Sequence, residues 1–170
     1  MSDSETDDAP TVVERHSNSE AETADTARAL APLLRGGDVL LLQGPLGAGK
    51  TRFVQGLAAA LGCTTEDMSS PTFGLVHEYD GPTPVVHMDA YRLRDVDEFY
   101  ALGGDELLGA GSVACIEWAE RIAEALPADA IELTIQPLGQ QQRRLRFSAA
   151  RGHGRHVLEQ WQQIIAAASS

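Results

Sequence analysis

An apolar run, "DVLLLQ", leads straight into "GPLGAGKT" and then into "RFVQGLAAALG". No other feature constrains the fold as strongly. A continuous apolar run marks a strand buried on both faces, as in the centre of a parallel sheet. The loop that follows carries Gly44, Gly47 and Gly49, and the helical pattern after it stops at Gly62. Strand, glycine loop and helix in that order predict an α/β fold with a parallel centre. Gly44, Gly49, Lys50 and Thr51 satisfy G-x-x-x-x-G-K-[ST]; the glycines do not have the G-x-G-x-x-G spacing of a dinucleotide loop. Glycines let the backbone curl so that successive N–H groups point at phosphate oxygens. The helix adds its own free N–H groups and the positive end of its dipole. In such a loop the lysine reaches the β- and γ-phosphates and the Thr hydroxyl ligates Mg²⁺. Lys50 is the only lysine in the chain, whereas the other twelve of its thirteen Lys and Arg residues are arginine. The planar fork of arginine does not fit a tight phosphate cradle, which accounts for a lysine kept at this one position. A glycine-rich turn that merely joined strand to helix would require neither Lys50 nor Thr51.

The remaining pattern extends this unit on both sides. Residues 1–10 read as a disordered acidic tail, too polar to offset the entropy of ordering, and 11–170 as one P-loop ATPase domain. "TVVERH" reads as a short strand. Ser19 caps a helix with Glu20 and Glu22 in its first turn, running to Gly36-Gly37. "TFGLVHEYD" and "TPVVHMD" flank the turn at Asp80-Gly81-Pro82 and predict a hairpin. "DVDEFYALGG" reads as a short helix, "SVACIEW" as a buried strand and "AERIAEAL" as a helix. "AIELTIQPL" and "RRLRFSA" flank the polar turn "GQQQ" as a second antiparallel pair. The closing segment "RHVLEQWQQIIAAA" is an amphipathic helix with Val157, Leu158, Trp161, Ile164 and Ile165 on one stripe. The expected architecture is a mixed sheet with a parallel centre and antiparallel additions, flanked by helices.

Composition narrows the function classes. The net charge of −12 opposes free binding to a nucleic-acid backbone, which needs clustered cations. No apolar run approaches the roughly 18 residues of a membrane span, and "MSDSETDDAP" has no secretory pattern. Cys63 and Cys115 are far apart and form no CxxC pair, so two reduced, buried thiols in a cytoplasmic protein are expected.

Turnover of a nucleoside triphosphate also needs an acidic group to hold the metal's water shell or orient the attacking water. Asp89 ends "VVHMD" and Glu117 ends "VACIE". Each would place a carboxylate at a strand's C-terminal edge, where open α/β sheets bind ligands. The alternative for either is a solvated strand-end carboxylate.

"GPLGAGKT", "SSPTFGLVHEY", "HMDAYRL" and "IEWAER", in that order and spacing, resemble the TsaE (YjeE) family, over roughly residues 20–150. These are bacterial P-loop ATPases required for threonylcarbamoyl modification of adenosine 37 (t6A37) in tRNAs. The resemblance implies that Gly44, Leu46, Gly47, Ala48, Gly49, Lys50, Thr51 and Arg52 form the binding site for ATP and Mg²⁺. It implies that Ser70, Pro71 and Thr72 belong to a switch-like loop facing the γ-phosphate. Asp89 and Glu117 would be the catalytic carboxylates, with Thr51 and Glu117 holding the metal and Trp118 packed beside Glu117. Such proteins act with TsaD and TsaB, reach tRNA only through that complex, and use hydrolysis to drive a conformational cycle.

Other residues carry weaker signals. His77 and His87 fall opposite each other if the hairpin turns at 80–84; with no third ligand evident, cross-strand packing accounts for them better than a metal. "SSPTF" lacks a nucleophile-elbow pattern. Arg92 and Arg94 follow Asp89, open to phosphate, a partner or solvent. The competing function is a P-loop small-molecule kinase, which would need an acceptor pocket and commonly an arginine-bearing lid.

Overall fold

The computed structural model describes residues 9–64, 76–109 and 111–170. Its seven strands are β1 (Thr11–Ser17), β2 (Val39–Gln43), β3 (Val76–Tyr79), β4 (Val85–Asp89), β5 (Val113–Glu117), β6 (Ile131–Pro137) and β7 (Arg143–Ala149). They form one sheet in the order β1-β7-β6-β2-β5-β4-β3. β2 pairs in parallel with β5 and β6, and β4 with β5. The outer pairings β1–β7, β6–β7 and β3–β4 are antiparallel. This is the expected mixed sheet with a parallel centre. Residues 1–8 of the expected acidic tail and the segment 72–75, expected to begin the hairpin's first strand, lie outside the described residues.

Alternation along the central strands sorts side chains into two cores. Leu40 and Leu42 of β2, with Val113 and Cys115 of β5, join the larger core beneath α1 (Glu20–Leu30), α2 (Lys50–Ala60) and α5 (Gly152–Ala168). Val39 of β2, with Ala114 and Ile116 of β5, face the opposite core, which contains Phe99 and Ile122. Trp161 of α5 is 2% exposed and meets the Phe147 ring edge-on at 4.8 Å, which places it in the core as expected. Cys63 and Cys115 are free and buried, as their spacing suggested.

Local chemistry explains the departures from the sequence reading. Ser19 caps α1, its hydroxyl accepting from the Glu22 amide at 3.1 Å, but the helix stops at Leu30 rather than at the glycines. A 3₁₀ turn, Ala31–Leu33, follows, with Pro32 near its start, where no amide hydrogen is needed. Residues Ala119–Ala125 also form 3₁₀ structure instead of an α-helix, broken at Ile122 (φ −128°). The apolar Ile122 drops into the second core, and the segment leaves helical geometry to let it do so. The helix α3 (Val96–Ala101) ends at the glycines as expected, but Gly103, at φ +80°, starts a further turn, α4 (Gly104–Leu107). Ile164, placed on the buried stripe of α5, is 53% exposed. Ile165, one residue on, still packs against the larger core, so the buried stripe runs from Trp161 to Ile165 and leaves Ile164 to one side.

α2 is seated against α1 at Gly56. A Cβ there would meet the Ala24 carbonyl oxygen at 2.8 Å and the Ala24 Cα at 2.9 Å. Helix propensity alone favours alanine over glycine by about 1 kcal/mol. Overpacking against rigid backbone costs about 1–3 kcal/mol before that gain. Gly56→Ala should therefore be destabilised by about 1 kcal/mol, lowering the melting temperature by about 2–4 °C. An unchanged or raised melting temperature by calorimetry would show that α1 and α2 separate without cost.

Candidate functional site

The glycine loop spans the gap between β2 and α2, over the C-terminal edge of the parallel strands. Gly44, Gly47 and Gly49 have φ of 153°, 79° and 109°. At Gly44 a Cβ would lie 2.7 Å from the Ile135 carbonyl oxygen, so the loop's close approach to β6 requires glycine. Gly49 is the N-cap of α2 and supplies no side-chain acceptor to the first turn. That leaves amide donors of an eleven-residue helix without a side-chain cap at the loop. One cleft of about 550 Å³ is lined by Leu46, Gly47, Gly49, Lys50, Thr51, Arg52, Asp89 and Glu117, together with Glu20 and Gln55. Residues from the loop and from the ends of β4 and β5 thus share one cavity. Leu46 is fully exposed at its rim, while Ala48 is buried beneath it. Arg52 pairs with Glu20 at 2.9 Å. Ser70 and Thr72 lie outside the described residues.

Parallel register delivers the two carboxylates together, with Asp89 of β4 opposite Glu117 of β5 and His87 opposite Cys115. Residues two apart point to one face of a sheet, so His87, Asp89, Cys115 and Glu117 all belong to the α2 side. Asp89 Oδ1 accepts the Tyr91 amide at 2.9 Å, which orients its carboxylate. Glu117 is not a solvated strand end: its side chain is 13% exposed. Lys50 Nζ donates to Glu117 Oε1 at 2.9 Å and to the Gly44 carbonyl at 2.7 Å. His87 Nε2 lies 2.8 Å from Glu117 Oε2. Burial pushes the Glu117 carboxyl up, but hydrogen bonds from His87 and Lys50, with their charges, outweigh it and hold it below the ordinary value. Burial also drives the Cys115 thiol up, to about 12, with the Glu117 charge adding to it. Cys115 is therefore an inert thiol beside the site.

Spacing alone did not reveal three features. Arg143, at the start of β7, donates from Nε to the Ala48 carbonyl at 2.9 Å and from Nη2 to Gly47 at 3.3 Å. It lies 95 residues from Ala48 in sequence, and no local pattern links them. His87 meets Glu117, and no group of three or more His, Cys, Asp or Glu suited to a metal occurs among the described residues. Trp118 has φ +58° and is 44% exposed. Its ring lies 4.9 Å from Tyr91, which in turn sits 5.6 Å from the Arg121 guanidinium. Arg94 pairs with Glu98 at 3.0 Å and faces solvent.

A parallel-centred α/β sheet carrying this loop between β2 and α2 defines a P-loop NTPase-like protein. The family profile described as "Threonylcarbamoyl adenosine biosynthesis protein TsaE" matches residues 17–145. The chain belongs to the TsaE family of threonylcarbamoyl adenosine biosynthesis proteins. It is 43% identical over 129 residues to the tRNA threonylcarbamoyladenosine biosynthesis protein TsaE of Bacillus subtilis, covering 75% of this chain and 80% of the relative. The Aquifex aeolicus protein of the same name is 41% identical over 131 residues, covering 76% and 90%. A crystal structure of Bacillus subtilis YdiB superposes with a TM-score of 0.74 at 33% identity, covering 91% of this chain and 96% of that one. No helix among the described residues is long and apolar enough to cross a membrane.

The depressed Glu117 value fixes a pH dependence. A carboxyl held lower in the folded state contributes stability that is present above its unfolded value, near 4.5, and lost as pH falls through the folded value. Glu117→Gln should therefore melt below the parent at pH 7, and the gap should narrow below about pH 4.5. Melting curves across that range check the sign; a gap that widens on acidification contradicts it.

Proposed function

We propose that the chain is an ATP-binding and ATP-hydrolysing accessory protein of tRNA t6A37 modification that acts as a nucleotide-dependent switch on TsaD and TsaB. The observation that carries this reading is the one cleft in which Lys50, Thr51, Asp89 and Glu117 meet at the N-terminus of α2, where Gly49 supplies no side-chain cap. Family membership supplies the pathway, and the relatives' names refer to threonylcarbamoyladenosine in tRNA. The −12 charge favours docking on a protein over direct capture of tRNA, so tRNA is met through the complex. Such work belongs in the cytoplasm, with residues 11–170 as the ATPase domain and the acidic stretch 1–10 as its tail.

In this reading the N–H groups of Gly44, Leu46, Gly47, Gly49, Lys50 and Thr51 cradle the phosphates, joined by that of Ala48 once it leaves the Pro45 carbonyl, which it meets at 3.0 Å, with Arg52 at the rim. Lys50 exchanges Glu117 Oε1 for phosphate oxygens. Ser70 and Thr72, of the proposed switch loop, would respond to the γ-phosphate. The donor set suits magnesium, which takes few protein ligands and completes its shell with substrate phosphates and water. Thr51 and Glu117 would hold it, and its charge would offset that of the β- and γ-oxygens. Glu117, with Asp89 beside it, orients the attacking water; the water oxygen bonds to the γ-phosphorus as the bond to the ADP oxygen breaks. The kinase alternative is less well supported, because the described chain between α2 and β5 forms a hairpin and two short helices rather than a lid.

Two variants separate binding from turnover. Lys50→Ala removes charge-assisted hydrogen bonds worth about 1.5–3 kcal/mol, so titration calorimetry should show ATP affinity reduced roughly 10–100-fold. Unchanged affinity would sink the nucleotide assignment. Glu117→Gln should keep ATP bound yet release phosphate about 10²–10⁴-fold more slowly with the TsaD–TsaB pair present. Parental phosphate release by that variant would reduce Glu117 to a structural carboxylate. A phosphorylated small molecule appearing in place of free phosphate would favour the kinase.

A further inference from the structure

We propose that His87 is a positioning residue for Glu117: it anchors Oε2 so that Oε1 alone is left to face the reacting groups when Lys50 turns to phosphate. This rests on the hydrolytic reading above. His87 is 0% exposed in the middle of β4, and its Nε2 lies 2.8 Å from Glu117 Oε2. A carboxylate has no proton to donate, so Nε2 carries the hydrogen. The other ring nitrogen, Nδ1, is buried with no hydrogen-bond partner among the described residues. A buried polar atom left unpaired is costly, and an aliphatic side chain would avoid that cost at this position. Packing alone therefore does not account for an imidazole here; the bond to Glu117 does.

The two carboxylate oxygens of Glu117 have different partners. Oε1 is held by Lys50, which reaches it from the start of α2 beside the cleft. Oε2 is held by a side chain fixed in the sheet, one strand over and diagonally displaced. When phosphate oxygens take the Lys50 ammonium, Oε1 loses its donor and Oε2 does not. The carboxylate then pivots about a fixed point, so its free oxygen keeps a defined direction. Without His87, Oε2 would have no donor at the outset, and the departure of Lys50 would leave neither oxygen held. Orientation errors of about an ångström at a catalytic group cost on the order of 100-fold in rate.

The test compares His87→Gln, whose amide NH₂ can replace Nε2–H, with His87→Leu, which has no donor. Phosphate release is followed with the TsaD–TsaB pair present. His87→Leu should lose about 10–100-fold in kcat with KM within about twofold of the parent, and His87→Gln should recover most of the loss. An undiminished kcat in His87→Leu overturns the proposal, as does a loss confined to KM, or a folded His87→Gln as impaired as His87→Leu. A second measurement needs no turnover. Rotamer averaging of ¹³C-labelled Glu117 is read by NMR with a non-hydrolysable ATP analogue bound. One rotamer is expected in the parent and His87→Gln, and averaging in His87→Leu. Equal order in all three overturns the positioning role whether or not the parent hydrolyses ATP. The expected NMR pattern in a parent that never releases phosphate supports the positioning role and removes only the hydrolytic reading. Should His87→Leu fail to fold, the parent decides alone: averaging of Glu117 with the analogue bound overturns the proposal, and a single rotamer supports it.

Discussion

Everything at the site depends on the parallel register of β2, β5 and β4. Leu42, one residue before the strand end that feeds the glycine loop, pairs with Glu117, and Glu117 pairs with Asp89. The loop and both carboxylates therefore arrive at one edge of the sheet. Because side chains alternate with a period of two, a slip of one residue in β5 would turn Glu117 to the opposite core. The tightly filled faces oppose such a slip: Cys115 and Val113 belong under α2, and Ala114 and Ile116 belong against Phe99 and Ile122. Hydrophobic packing sets the register, and the register sets the chemistry.

The polar centre on this frame is electrostatically expensive. Two charged groups, Lys50 and Glu117, sit with side chains only 15% and 13% exposed. Such pairs are weak sources of stability, because desolvation offsets most of their attraction. Their arrangement fits the proposed role of the cleft as a phosphate site. The Lys50 ammonium is already bound to the Gly44 carbonyl and to Glu117. In the proposed function a phosphate would compete for a donor that is close by and already stripped of much of its water. The same burial that keeps Cys115 protonated strengthens any charge interaction within the cleft.

The far side of the sheet serves this cleft indirectly. β7, β1 and α5 close the larger core through Phe147, Val13 and Trp161. Arg143 then carries that rigidity back to the loop by holding the carbonyls of Gly47 and Ala48. On the other flank, the left-handed backbone of Trp118 turns its ring out of the strand and onto Tyr91. Asp89 and Tyr91 are themselves joined through the Tyr91 amide. Trp118, directly after Glu117, and Tyr91, two residues after Asp89, thus meet at the surface.

Local information in the sequence was enough for the strand–loop–helix unit, the hairpin with His77 opposite His87, the Ser19 cap and the two strand-end carboxylates. Each of these depends on spacing, on a capping hydroxyl or on glycine, all readable within a few residues. Sequence misjudged the helix ends at Leu30 and Ala119–Ala125, where a proline and the demand to bury Ile122 overrode helical pattern. Beyond its reach were the bond from His87 to Glu117, the Lys50–Glu117 pair and the grip of Arg143 on the loop. Those contacts join residues 30, 67 and 95 positions apart. Periodicity says which face of an element is buried, but only the order and register of strands say which buried groups meet. The chain by itself determined a glycine loop, with one lysine, between strand and helix at Gly44–Thr51. Tertiary structure decided which carboxylate would wait beside that lysine, and what would hold it there, because both depend on three strands lining up in parallel.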